Sequence, residues 1–336
     1  MKYNKVYVIA PTKTVTGGVE LSHQLVDFLR RSGQEAYIVY SEWNRISSDQ
    51  EVTDAYKCYD IVSTDVIEDE KDNILILPEI YFDYVYNYRK IQIGCWWMSV
   101  DNRYYRIRWY EKIYRLKSVR EKVKYIRDMM FRDVLYYRNT TSLLKKESSR
   151  IIHFYQSRYA QNHLYNMGFY KILPLSDYIN IDFLEDTRKN KEDIVLYNPA
   201  KGYRFTKKLI EVMPGIQFVP LKGLSRIEMK NLLSKAKLYI DFGGFPGKDR
   251  IPREAVISGC CMITGTLGAS GFYEDVPIGE DYKFDVKNKN LPLIQKKILY
   301  VLNNYDSCYK DFENYRKVIE REKDDFYEEI RRAFLV

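Results

Sequence analysis

The chain has 336 residues, of which 46% are apolar and 15% aromatic, and it carries a formal net charge of +8. This composition supplies a core and excludes disorder, and at about 150 residues per domain the length leaves room for two domains. Five scattered cysteines without a Cys-x-x-Cys spacing, and only three histidines, exclude a disulfide scaffold and argue against a zinc site.

Val6–Ala10 reads as a first strand, too short to be a secretory leader. Gly17 and Gly18 open the following loop, and a helix runs from about Val19 to Arg31, stopped by Gly33. Strands are expected at Ala36–Tyr40, Ile74–Pro78, Ile91–Met98 and Ile151–Tyr155. The uncharged apolar window Ile91 to Val100 is too short to span a bilayer. Ser157–Met167 reads as a helix ended by Gly168. Strands alternating with helices predict βαβ units on a parallel sheet.

Residues 103–150 hold fifteen Lys or Arg and five acids, so this segment is +10 and the rest of the chain is slightly acidic. Within it Trp109, Ile113, Leu116, Val119, Val123, Ile126, Met130 and Val134 recur at helical spacing, the pattern of a basic helix starting near Asn102. Trp96 and Trp97, with Arg103, Arg106 and Arg108, form a candidate surface for an acceptor or for anionic lipid. A nucleic-acid backbone is the alternative partner, and a stripe packed on the core is the plain structural one.

Residues 182–192 hold seven charges and read as a linker. The βα pattern then restarts: strand Ile194–Tyr197, helix Phe205–Val212, strand Ile216–Val219, then Ser225-x-x-Glu228 as a capping box opening a helix to about Ala236. Strand Leu238–Phe242, helix Pro252–Ser258 and strand Cys261–Thr264 follow. From Leu291 to Val336 the chain is helical and highly charged. The expected domains are 1–185, 186–305 and a returning C-terminal helix over 306–336.

The richest stretch for chemistry runs from Asp241 to Ala255. Three glycines and a proline leave a strand, and a helix opens near Pro252. Glycines admit a ligand to the backbone, and helix N–H groups attract anions. Lys248, Arg250 and Arg253 add cations, and Glu254 is a lone carboxylate suited to ribose hydroxyls. Lys201-Gly202 follows another strand at the edge where α/β sheets bind ligands. Gly17-Gly18 can also present amides to an anion. Gly265 to Gly271 is a candidate rim. Asp101 follows a strand and is a candidate base, with an N-cap of the basic helix as the other reading. His153 lies in an apolar strand and reads as a core residue. No Asp-x-Asp stands on a loop to hold a metal.

Taken together, Gly17-Gly18-Val19-Glu20, Lys201-Gly202 and Pro252-Arg-Glu254-Ala255 followed by Gly259-Cys260 resemble glycosyltransferases of the GT-B fold, particularly the large family four. The resemblance implies an α/β chain of two Rossmann-like lobes facing across a cleft, with a C-terminal helical extension. It implies a nucleotide-sugar donor held mainly by the second lobe, an acceptor on the first, and no cofactor or metal. By the same resemblance Lys201 meets the diphosphate, Glu254 the ribose, and Gly17 and Gly18 lie near the transferred sugar. The chain departs from the family pattern at Pro246, which stands eight residues before Glu254 where a glutamate is usual, so Asp249 is the nearby acid. The expected enzyme transfers a sugar to a glycan or lipid-linked glycan in surface polysaccharide synthesis, in the cytoplasm or on the inner membrane face. Asp101, Asp249 and Arg250 are its candidate catalytic residues. DNA as acceptor, and a binding protein without turnover, are the alternatives.

Overall fold

The computed structural model describes residues 1–42, 45–104, 118–128, 134–180 and 190–336. It divides into two compact units. The first comprises 1–156, 160–175 and 327–336; the second comprises 157–159 and 176–326.

The first unit is built on seven strands: β1 (Lys5–Pro11), β2 (Glu35–Glu42), β3 (Arg45–Ile46), β4 (Ile74–Pro78), β5 (Gln92–Trp97), β6 (Ile151–Tyr155) and β7 (Ile172–Pro174). Their order is β3-β2-β1-β4-β5-β6-β7, parallel throughout except for the β2–β3 pair. Val6–Ala10 and Ile74–Pro78 are buried on both faces, which is why they read as continuous apolar runs rather than alternating ones. The order reverses between β1 and β4, and in such sheets ligands bind at the carboxyl ends of the strands beside that reversal.

The second unit has five parallel strands: β8 (Glu192–Tyr197), β9 (Gln217–Pro220), β10 (Ala236–Asp241), β11 (Cys261–Gly265) and β12 (Lys283–Phe284). Their order is β12-β11-β10-β8-β9, so the reversal falls between β8 and β10. Leu196, Leu238, Tyr239, Ile240 and Ile263 form its core with Ile294, Ile298 and Val301 of the helix Leu291–Asn303.

Local signals behave as the sequence predicts. Gly33 and Gly168 end their helices at φ +82° and +80°. Ser225 and Glu228 make both halves of the capping box. The helix after β10 differs. It opens at Arg250, two residues before Pro252, because proline is tolerated anywhere in the first turn, where its missing N–H is not needed.

The basic segment differs more. Among the described residues a short helix spans Val100–Arg103, and helices lie at Val119–Asp128 and Val134–Lys146. Val119 and Val123 of the stripe are 77% and 61% exposed, so they do not pack on a core. Trp109, Ile113, Leu116 and Met130, together with Arg106, Arg108 and most of the expected linker, lie outside the described residues. No helix among the described residues is long and apolar enough to cross a membrane.

Candidate functional site

The loops after β8 and β10 meet at the reversal point of the second sheet. The turn Asn198–Lys201 is closed by Ala200 N donating to Asn198 Oδ1 (3.0 Å), and Gly202 then takes φ +60° to start the helix Tyr203–Val212. A Cβ on Gly202 would stand 2.5 Å from Gly243 N, and one on Gly243 would stand 2.4 Å from Lys201 Cβ. These two glycines therefore let two protein loops cross in backbone contact, rather than admitting a ligand. Gly268 serves the same end one loop further on. Phe245 N donates to Leu267 O (2.9 Å) and Ala269 N to Phe245 O (2.8 Å), and a Cβ on Gly268 would collide with Phe245 O.

This crossing brings Lys201 onto Asp249, the residue before the helix Arg250–Ile257. Asp249 stands at the N-cap position but makes no side-chain cap, because its carboxylate is engaged by Lys201. Burial raises the Asp249 pKa, and Lys201 pulls against that rise. Arg250 and Glu254 lie one turn apart, Nε to Oε1 3.8 Å, with the Glu254 side chain buried and that of Arg250 partly open. Lys201 and Arg250, beside a helix N-terminus, thus form a cationic edge with two carboxylates among them.

Beneath the edge lies a carboxyl to which the sequence assigns no role. Asp241 accepts from Tyr239 Oη (2.8 Å) and Gly243 N (2.9 Å), and its backbone oxygen accepts from Thr264 Oγ1 (3.0 Å). Burial pushes its pKa up to about 6 against those bonds. A charged residue closing the apolar strand Leu238-Tyr-Ile-Asp241 was the available signal.

Two expected donor-binding cations are committed elsewhere. Arg253 is 1% exposed and bonds Asp177 (3.0 and 2.5 Å) and Glu322 (2.7 Å). Lys248 pairs with Glu322 at 2.8 Å. Burial pushes the Asp177 carboxyl up, but Arg253 and Lys248 outweigh it and hold the pKa low. The expectation that Lys248 and Arg253 meet a diphosphate is therefore corrected: they knit the helix after β10 to Asp177 and to the helix Glu313–Ile330.

In the first unit, Gly17 and Gly18 are the first two residues of the helix Gly17–Arg31, following Thr16 at the N-cap. The Tyr56 hydroxyl accepts from Thr16 N (3.1 Å), and its ring stacks on buried His23 at 4.2 Å. Asp101 lies inside the helix Val100–Arg103, whose N-cap is Ser99, accepting from Asn102 N at 3.3 Å. The N-cap reading of Asp101 is thus corrected. At the end of β4 stands Glu79, buried and accepting from Met98 N (3.2 Å). Burial pushes its pKa up to about 7, although the Met98 and Ser99 amides pull the other way.

The surface assigned to Trp96, Trp97 and Arg103 is also corrected, since all three are buried. Trp96 Nε1 donates to Leu175 O (2.9 Å) and Trp97 Nε1 to His153 Nδ1 (3.1 Å). Arg103 donates to Glu79 O (3.3 Å) and lies over the rings of Phe82 and Tyr137. A central strand covered on both faces leaves no outward position for either tryptophan.

No family model and no curated protein matches the sequence. Solved structures do match its shape. Sucrose-phosphate synthase from Thermosynechococcus elongatus aligns with a TM-score of 0.64 over 98% of this chain and 98% of its own, at 10% identity. Anabaena HepE, solved in complex with UDP-glucose, gives 0.60 over 98% of each chain at 8% identity. The fold is that of the GT-B glycosyltransferases. A glycosyltransferase from Rickettsia africae gives 0.59 over 99% and 97% at 13% identity. Within a GT-B chain, the crossing of the β8 and β10 loops is the reversal point of the C-terminal Rossmann-like sheet.

Proposed function

We propose that the chain is a metal-independent glycosyltransferase that takes a sugar from a nucleotide-sugar donor. The observation that carries this reading is the convergence of Lys201, Arg250 and the N-terminus of the helix Arg250–Ile257 at the β8/β10 reversal. A diphosphate there would replace Asp249 as the partner of Lys201. Fixed cations and amides then stabilise the charge that develops on the leaving diphosphate, the largest contribution such a site can make. Glu254 would accept from the ribose, and Asp101 of the first unit is the proposed base at the acceptor. We assign the acceptor as a glycan or lipid-linked glycan of a surface polysaccharide, with the enzyme at the cytoplasmic membrane face. The helix Val119–Asp128 supports that placement, with two exposed valines among Arg120, Lys122, Lys124 and Arg127.

Thermal shift against uridine, guanosine, cytidine, thymidine and adenosine diphosphates tests the donor site. One of them at 100 times its Kd should stabilise the protein by about 2.7 kcal/mol. Lys201→Ala and Glu254→Ala should each reduce that affinity by roughly tenfold or more, as expected for a lost hydrogen bond to a charged group. If none of the five diphosphates shifts the midpoint, the nucleotide reading is wrong. Anionic vesicles and duplex DNA, offered side by side across a salt series, separate a membrane face from a nucleic-acid acceptor.

A further inference from the structure

The first unit carries a groove at the opposite edge of its sheet from Gly18 and Glu79. It encloses about 430 Å³, within the range of small-ligand sites. One wall is the segment from Val85 to Arg89, ahead of β5; the other runs from Leu143 to Arg150, ahead of β6. Each wall supplies one outward cation, Arg89 and Lys146, and the first adds Tyr86 and Tyr88.

Most of the charged and carbonyl acceptors around the groove are engaged. Arg150 donates to Ile91 O (3.3 Å), Tyr88 O (2.9 Å) and Val85 O (3.5 Å), and it pairs with Glu147, the one acid in the lining. Two of the carbonyls closing the helix Val134–Lys146 are taken too. Leu143 O accepts from Glu147 N (3.0 Å), and Lys145 O accepts from Ser148 N (3.4 Å). Ser149 O accepts from Lys171 Nζ (3.4 Å), which offsets the negative end of that helix. Asp69, the acid beside the Arg89 backbone, accepts from the amides of Arg89, Lys90 and Ile91. Among the described residues Arg89 and Lys146 form no ion pair, and the hydroxyls of Tyr86 and Tyr88 form no hydrogen bond. The groove thus offers a ligand chiefly two unpaired cations and two tyrosines.

A concave site rich in donors, poor in acceptors and bordered by aromatic rings selects an anion carried on a flat-faced body. We propose that this groove is a second ligand site, which holds an acidic saccharide with a sugar ring on Tyr86 and Tyr88 and its carboxylate, phosphate or sulfate on Arg89 and Lys146. The anion half of this inference rests on the groove alone; the saccharide half rests on the glycosyltransferase reading. Lying away from the reversal points, the site would hold a distant part of a polymeric acceptor, so the acceptor is anionic.

Calorimetric titration of the whole protein with hexagalacturonate, neutral maltohexaose and inorganic phosphate tests this. Hexagalacturonate should bind, weaken with added salt, and outbind both controls. The double variant R89E/K146E should lose at least tenfold in affinity and Tyr86→Ala several-fold. All these side chains are at the surface, so both variants should keep the thermal midpoint and any nucleotide response of the parent. Undiminished binding by R89E/K146E, or no binding by the parent, overturns the site. Phosphate binding as tightly as hexagalacturonate overturns the saccharide half. Phosphatidylglycerol vesicles captured through Arg89 and Lys146 while hexagalacturonate is not would reassign the groove to lipid. Because no donor or turnover is involved, failure of the nucleotide test would leave this result standing.

Discussion

Of the three cations between Gly243 and Glu254, Arg253 is fully buried, Lys248 is mostly covered at 12% exposure and Arg250 is partly open. Lys248 and Arg253 are two charges against the two of Asp177 and Glu322, an arrangement that is strongly destabilised, by about 3–5 kcal/mol, when one member is removed. Arg250 alone remains to serve a ligand with Lys201. Glu79 is a different kind of buried carboxyl: its side chain accepts from Met98 N, among the described residues no ion pair reaches it, and burial pushes its pKa up to about 7 from its ordinary 4.5. A carboxyl whose folded pKa is raised favours folding fully below the unfolded value, and loses that contribution as pH climbs through the folded value. Stability associated with Glu79 is therefore expected to fall between about pH 4.5 and 7, by on the order of 3 kcal/mol. Glu79→Gln keeps an acceptor for Met98 N and removes the titration. All four tryptophans precede residue 110, so their fluorescence reports on the first unit. Urea denaturation followed by that signal should show E79Q gaining on the parent between pH 5 and 7.5; a constant difference across that range would refute the assignment.

At the scale of elements, the βα turns are fixed by backbone sterics. Gly202 combines a left-handed conformation with a Cβ position only 2.5 Å from Gly243 N. Gly202→Ala is expected to incur backbone strain and overpacking, each of about 1–3 kcal/mol, and to pull Lys201 off Asp249. Hydrogen exchange should then speed up in β8 and β10 while β1 and β4 stay protected; unchanged exchange in β8 and β10 would contradict the crossing. Such contacts mark the border of what the sequence discloses. Gly33, Gly168 and the Ser225 capping box were legible because each signal and its effect lie within a few residues. The alternation of strands and helices was legible for the same reason, as was Lys201 at a strand end. Arg253 looked like a ligand group because its partners lie 76 and 69 residues away. Trp96 and Trp97 looked like surface residues because a run of aromatics beside a basic segment does not say that the strand is covered on both sides. The Gly202–Gly243 crossing could be read only as room for a ligand until the order of β8 and β10 was known.

At the scale of the whole chain, the second unit does not hold the C-terminus. The helix Glu313–Ile330 contributes Glu322 to the second unit's ion cluster, yet residues 327–336 count with the first. There Tyr327 stacks on Phe28 at 4.0 Å, and Phe334, fully buried, lies 5.5 Å from Phe154 and 6.2 Å from Tyr3. Lys2 N closes the set by donating to Phe334 O at 3.0 Å. The first unit is thus completed only when the last residues are in place, and its stability depends on both ends of the chain. Phe334→Ala removes a fully buried ring from this core, so it is expected to cost about 3–5 kcal/mol. Because that cost falls on the first unit, tryptophan fluorescence should report an earlier urea transition. Exchange in β8, β10 and β11 should stay as in the parent until that transition is passed. Equal loss of protection in both sheets under native conditions would mean instead that the two units unfold as one.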